Sequence, residues 1–315
     1  MTLTIGVDIG GTKVAAGVVT PEGDVLAQTR RDTPADDVAK TRDVIVEAVA
    51  EMASLHEVEA VGIGAAGWID ATRSTVLFAP NIAWRDEPLR DYVSDAVGLP
   101  VIVENDANAA AWAEFRFGAA RDAEDSMVMF TIGTGVGGAI VLGGELVRGT
   151  HGIAADLGHM LSVPDGHLCS CGRRGCLEQY ASGNALVRFA RAGARQEPSR
   201  AGELLDLAGG DAEAITGPMV TAAAQDGDQV SREAFAQIGR WLGIALADMV
   251  QVLDPQVLVV GGGVVDAGEL LLGPTRRSYV DALAQRGRIE VAELKAAELG
   301  NAAGVVGAGD LARRR

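Results

Sequence analysis

Residues 7–19, Val-Asp-Ile-Gly-Gly-Thr-Lys-Val-Ala-Ala-Gly-Val-Val, decide how this chain is read. Apolar residues flank the turn Gly10-Gly11-Thr12-Lys13, the pattern of two strands joined by a tight hairpin. A similar stretch, Met-Phe-Thr-Ile-Gly-Thr-Gly-Val-Gly-Gly-Ala-Ile-Val-Leu, occupies residues 129–142, offset by 123. Two such hairpins half a chain apart predict two related lobes facing a cleft, a common location for a ligand. Backbone N–H groups in a Gly-Gly-Thr turn can surround an anion, and Asp8 at the strand's end could hold a metal through water. The alternative is a plain hairpin with Asp8 as a turn residue.

Outward from the first hairpin, Leu3–Val7, Val14–Val19 and Asp24–Thr29 read as a three-strand meander. The amphipathic run Ala35–Glu57 predicts a helix crossing to a strand at Ala60–Ile63. A helix at Asp86–Val97, a strand at Val101–Val103 and an Ala-dense helix at Asp106–Phe117 complete an α/β lobe. The pattern breaks at Phe117–Asp125 and restarts as strands at Met127–Ile132 and Gly138–Leu142. Glu178–Leu253 is mostly helical in pattern, Leu258–Val260 a buried strand and Ala302–Arg314 a last helix. The expected lobes are 1–118 and 119–301, with the helix at 302–315 packing back on the first.

The 315 residues suffice for about two domains with a sizeable core. A net charge of −16 argues against nucleic acid and anionic membrane surfaces as partners. No stretch approaches the ~18 apolar residues of a membrane helix, and Met1–Ile5 enters a strand pattern without a signal peptide, so a cytoplasmic protein is expected. The 41 glycines imply many tight turns or close approaches.

Two nucleotide motifs are nearly matched and fail on context. Gly6–Lys13 imitates a P-loop, but that motif ends Lys-Ser/Thr before a helix, and here a strand follows. Gly133, Gly135 and Gly138 satisfy G-x-G-x-x-G with Asp156 downstream, as a nicotinamide-dependent oxidoreductase would, yet Ala139–Leu142 reads as a strand. Gly261-Gly262-Gly263 after a strand is a third close-approach turn. His159, Cys169, Cys171 and Cys176 give H-x9-C-x-C-x4-C, a closed tetrahedral zinc set with no position left for water, hence structural. His151 and His167 do not fit that spacing. With zinc on one ring nitrogen, the neutral imidazole of His159 keeps its proton on the other, available as a donor.

Together, Asp8-x-Gly10-Gly11-Thr12-Lys13, Gly133-Thr134-Gly135-Val136-Gly137-Gly138, Glu104-Asn105-Asp106-Ala107-Asn108-Ala109 and Gly261–Gly263 resemble the actin/hexokinase/Hsp70 nucleotide-binding superfold. The pattern at 159–176 narrows the resemblance to the ROK family of sugar kinases and repressors, and end to end to its actinobacterial glucokinases. That resemblance implies a two-lobed ATP-dependent kinase phosphorylating the 6-hydroxyl of glucose or of another hexose such as mannose or fructose. It implies that the first turn serves phosphates and Mg²⁺, that Gly133, Thr134, Gly135 and Gly137 serve phosphates, and that Gly261–Gly263 serve the adenosine. Asp106, which on local sequence is equally a helix N-cap, matches the catalytic base. Asn105, Gly67, Asn81 and Glu178 match sugar contacts, although Glu178 is also a plain first-turn Glu, and the ring N–H that zinc leaves on His159 can donate to a sugar hydroxyl. Relatives usually carry Glu where Asp156 stands, one methylene longer. Family repressors carry a helix-turn-helix before the first turn; only seven residues precede Asp8, so a sugar-binding regulator of DNA is not expected. The family suggests a homodimer or dimer of dimers.

Overall fold

The computed structural model describes residues 2–284 and 291–314; Met1, residues 285–290 and Arg315, which fall in the ranges expected for the lobes and the last helix, lie outside the described residues. The chain divides into two compact units: Met1–Met127 with Ala139–Ala155 and Glu298–Arg315, and Val128–Gly138 with Asp156–Ala297. Neither unit is a continuous stretch, and Ala139–Ala155, inside the range expected for the second lobe, belongs to the first unit.

The first unit opens with β1 (Thr4–Ile9), β2 (Lys13–Val19), β3 (Val25–Asp32), α1 (Val38–Leu55), β4 (Val61–Ala65), β5 (Trp68–Ile69), β6 (Val76–Phe78) and β7 (Arg85–Glu87). It continues through α2 (Leu89–Val97), β8 (Val101–Asn105) and α3 (Asp106–Phe117). Five strands form one sheet in the order β3-β2-β1-β4-β8, with β1, β2 and β3 antiparallel and β4 and β8 parallel to β1. Ile5, Val7, Ile9, Ile63 and Val103 from the sheet bury against Ile45, Val49 and Met52 of α1. That helix starts at Val38 rather than Ala35, because the Asp37 carboxylate caps it by accepting from Lys40 N at 3.1 Å.

The helix expected to begin at Asp86 begins at Leu89 instead. Asp86 sits in β7 at φ 49°, and Pro88 precedes the first turn. The three-stranded sheet β5-β6-β7 has no counterpart in the sequence reading.

Further along lie β9 (Met127–Ile132), β10 (Val136–Leu142), β11 (Glu145–Leu146), α4 (Glu178–Ala181), α5 (Gly183–Gln196), α6 (Gly202–Leu207), α7 (Gly217–Asp226) and α8 (Gln229–Leu253). After them come β12 (Val257–Gly261), α9 (Glu269–Leu283), β13 (Glu293–Ala296) and α10 (Ala303–Arg313). The second sheet runs β11-β10-β9-β12-β13.

Helix α10 belongs to the first unit and is buried from Ala303 to Ala312. Its packing needs glycine on both sides: a Cβ at Gly6 would lie 1.8 Å from the Val305 carbonyl oxygen, one at Gly62 1.8 Å from that of Ala308, and one at Gly307 1.7 Å from that of Ala109. Backbone therefore rests on backbone along β1, β4 and α3. Among the described residues no helix is long and apolar enough to cross a membrane.

Candidate active site and metal centre

In the first unit the hairpin turn is tied down from outside. Gly10 N donates to Lys13 O at 2.9 Å, Thr33 Oγ1 donates to Gly10 O at 2.9 Å, and Thr33 N donates to Thr12 O at 3.0 Å. Gly11 abuts Asn81, whose Cβ lies 3.0 Å from where a side chain at Gly11 would begin. The Lys13 amine forms an exposed ion pair with Asp32 across the β2–β3 ladder. Asp8, at the end of β1, faces α10 at Gly304, where any Cβ would lie 2.6 Å from the carboxyl carbon. Burial first, and the Asp106 carboxylate second, push Asp8 up to about 7.

The β8–α3 junction brings Asn105, Asp106 and Gly67 together. The N-cap is Asn105, not Asp106: its Oδ1 accepts from Asn108 N at 3.0 Å, while its Nδ2 donates to Gly67 O at 2.9 Å. Asp106 takes the first helical position, where Oδ1 accepts from Ala107 N at 2.9 Å. A carboxylate there is stabilised by the helix start and held in place.

Sequence reading missed the group behind this junction. Glu104, 2% exposed, accepts from Asn105 N at 3.1 Å and from Asn108 Nδ2 at 2.9 Å through Oε1. Its Oε2 accepts from Arg148 Nε at 2.6 Å, with Arg73 Nε at 3.6 Å. The available signal was a lone charge closing the otherwise apolar strand Val101-Ile102-Val103.

In the second unit the turn after β9 abuts the start of α5. Gly183 N donates to Gly133 O at 2.8 Å, and Asn184 N donates to Thr134 O at 3.3 Å. Gly135 is glycine because the Glu178 carboxylate occupies the space beside it; a Cβ would lie 2.2 Å from Oε2, which also accepts from Val136 N at 3.2 Å. Glu178 thus sits in the first turn of α4 with its carboxylate against this turn. Gly137 lies within β10, the strand that rules out a dinucleotide turn at this position. Gly261 ends β12, Gly262 has φ 86° with Ile132 backbone in the place of any side chain, and Gly263 has nothing within 4 Å of its missing Cβ.

The loop after β11 folds back through paired residues Leu161 with Cys176 and Leu168 with Arg174. This gathers His159, Cys169, Cys171 and Cys176 so that one donor atom from each lies within 4.8 Å of the others. His159 Nδ1 is 3.5 Å from Cys169 Sγ, and Cys171 Sγ is 3.7 Å from Cys176 Sγ. Tetrahedral zinc with Zn–S of ~2.3 Å and Zn–N of ~2.0–2.1 Å separates its ligands by roughly 3.5–3.8 Å. The cluster fits. Burial first, and then the neighbouring thiols, push Cys176 up to about 12, whereas at Cys171 burial is outweighed by the Arg173 backbone N–H and the neighbouring thiols, which hold it below the ordinary thiol range; a bound cation would have to displace the Cys176 proton. With Nδ1 turned to the thiols, His159 Nε2 faces Asp156, 3.9 Å from Oδ2. Cys169 Sγ lies 3.7 Å from Glu178 Oε1, so Glu178 adjoins both the glycine turn and the thiol cluster.

The ROK family model matches residues 4–315. The chain belongs to the ROK family. This ROK chain is 50% identical over 313 residues to the glucokinase of Streptomyces coelicolor, covering 99% of this chain and 98% of that protein. It superposes with a TM-score of 0.90 on a ROK family glucokinase from Streptomyces griseus crystallised with glucose and AMPPNP; identity is 52%, and 99% of this chain and 100% of that one are covered. A ROK hexokinase from Thermus thermophilus gives a TM-score of 0.81 at 35% identity, covering 99% and 98%. The fold is therefore the two-lobed actin/hexokinase type of ROK sugar kinases.

Proposed function

We propose that this ROK chain is a glucokinase, transferring the γ-phosphoryl group of ATP to the 6-hydroxyl of glucose to give glucose 6-phosphate and ADP. The observation that carries this reading is the full-length likeness to the Streptomyces griseus enzyme bound to glucose and AMPPNP. Phosphoryl transfer asks a protein chiefly for alignment, charge neutralisation and a group to receive the hydroxyl proton. Asp106, fixed at the start of α3, is that group, and Asn105, Gly67 and Asn81 orient the sugar. Asp156, the outward nitrogen of His159 and Glu178 contribute its remaining contacts. Gly10, Gly11, Thr12 and Lys13, with Gly133, Thr134, Gly135 and Gly137, serve the phosphates, and Gly261–Gly263 the adenosine.

Asp8 and Asp106 repel one another, a pair that a divalent cation relieves; Mg²⁺ held there through water would neutralise charge on the phosphates. Zinc on His159, Cys169, Cys171 and Cys176 would fix the loop and the imidazole's tautomer. The same reading places a homodimer or dimer of dimers in the cytoplasm, a state that light scattering measures.

A coupled assay with glucose and MgATP, run beside one with glucose and NAD, tests the activity. Glucose 6-phosphate formation is expected; NAD reduction would establish an oxidoreductase, and glucose binding without turnover a regulator. Polyphosphate and mannose in the same assay set the donor and hexose range. Asp156 provides a finer probe, since it follows Ala155, held at φ 65°. Restoring the family's Glu with Asp156→Glu should tighten KM for glucose and shift the glucose-to-mannose ratio of kcat/KM by up to roughly tenfold, one hydrogen bond of ~1.4 kcal/mol. Unchanged values for both sugars would remove Asp156 from the sugar contacts.

A further inference from the structure

We infer that Glu104 is a positioning residue for the Asn105-Asp106 junction and that Arg148 holds it in register, an inference that rests on the glucokinase reading. Each oxygen of this buried carboxylate has a separate task. Oε1 collects Asn105 N and Asn108 Nδ2, the backbone and side chain that define the start of α3; Oε2 receives Arg148. Asn108 N in turn donates to Asn105 Oδ1, which leaves Asn105 Nδ2 as the donor toward Gly67 O. Rotation of the Glu104 carboxylate therefore displaces the backbone preceding Asp106 and the amide beside it together.

Both arginines come from loops built to deliver them. Asp70 accepts from Ser74 N at 2.8 Å and Thr75 N at 2.7 Å, closing a turn that holds Arg73 at φ 57°. The segment with Arg148 is closed by Ala154 N donating to Arg148 O at 3.0 Å, and its Gly152 lies against the backbone of Ile69, Asp70 and Ala71. A buried carboxylate needing only neutralisation would be served by either cation. Here the nearer one binds the oxygen opposite the junction, so it sets an orientation as well as a charge.

The test compares wild type, Glu104→Gln, Arg148→Met, Arg148→Lys and the double variant Glu104→Gln/Arg148→Met, each measured for kcat, KM for both substrates and Tm. Gln keeps an acceptor for Asn105 and Asn108 but can turn its amide N–H toward the arginine. We expect kcat per folded enzyme to fall about 10²-fold in Glu104→Gln, the cost of a misplaced reacting group, with KM for ATP unchanged. Arg148→Met should fall roughly tenfold, Arg148→Lys should recover part of this, and the double variant should be no worse than Glu104→Gln alone. Lowered Tm with unchanged kcat, or additive losses in the double variant, would overturn the inference. If Glu104→Gln fails to fold, Arg148→Met, its side chain 24% exposed in the parent, decides by the same separation of kcat from Tm. A wild type making no glucose 6-phosphate overturns the glucokinase reading and this one with it; an active wild type beside an equally active Glu104→Gln overturns this one alone.

Discussion

The two glycine hairpins share a backbone plan and differ in everything attached to it. In the first, Asp8 precedes the turn and Lys13 follows it; in the second, Thr131 and Val136 stand at the matching places. The first turn is braced by Thr33 and Asn81 and lies beside a carboxylate raised to about 7. The second has no ionisable group of its own, borrows Glu178, and rests against the start of a helix. A repeated hairpin therefore supplies backbone donors twice, while titratable chemistry is confined to one copy. The second unit adds instead a loop that gathers four side chains able to ligate a metal.

The contrast breaks if charge in the first unit proves idle. Asp106→Asn should lower kcat by about 10²–10⁴-fold with glucose binding nearly intact, because general-base help disappears while the sugar contacts stay. Near-normal turnover in single-turnover kinetics would reduce Asp106 to a first-turn residue of α3. Next in size is the His-Cys loop. Cys171→Ser should copurify with less zinc and bind glucose less well, as read by elemental analysis and calorimetry, because a direct ligand is weakened; a metal-free wild type would undo the assignment.

The second turn can be probed without disturbing the fold, since a Cβ at Gly133 meets nothing within 4 Å. Gly133→Ala should leave Tm unchanged and raise KM for ATP roughly tenfold, the value of one phosphate hydrogen bond. An unchanged KM would mean that this turn only joins β9 to β10. The smallest effect concerns Asp8. Its carboxyl is raised from an ordinary 3.8 to about 7, so its stabilising contribution is complete below about 3.8 and is lost as pH rises through about 7. Without nucleotide and in chelator, Asp8→Asn should therefore raise Tm by a few degrees at pH 8 and by clearly less at pH 5. Equal shifts at both pH values would show that Asp8 does not titrate there.

Local patterns made much of this molecule legible. The hairpins, the Asn105-Asp106 helix start and the His-Cys loop at 159–176 are each short continuous stretches, where turn chemistry and spacing act directly. What escaped depends on distance. Glu104 meets Arg148 across 44 residues, and nothing in Val-Ile-Val-Glu-Asn says which cation will arrive. The cap at α3 went to Asn105 because its amide can cap and reach Gly67 together, a choice visible only once β4 and β8 are paired. Strands β5, β6 and β7, of two or three residues, are too short to show alternation, and Asp86 at φ 49° is a strand residue in a conformation unusual for one.

The buried position of α10 bears on how the protein is made. Thr4 Oγ1 donates to Gly309 O at 2.7 Å across 305 residues, and Gly6 of β1 and Gly62 of β4 lie against the backbone of this helix. At ~5–20 residues per second, on the order of 15–60 s of synthesis separates β1 from α10. Until α10 is made, the part of the first sheet at Gly6 and Gly62 lacks the helix that packs on it. The second unit, whose parts lie between these two elements, can close in the meantime. The part of the molecule translated earlier is thus completed later, and folding yield should respond to elongation rate and chaperone supply through the first unit.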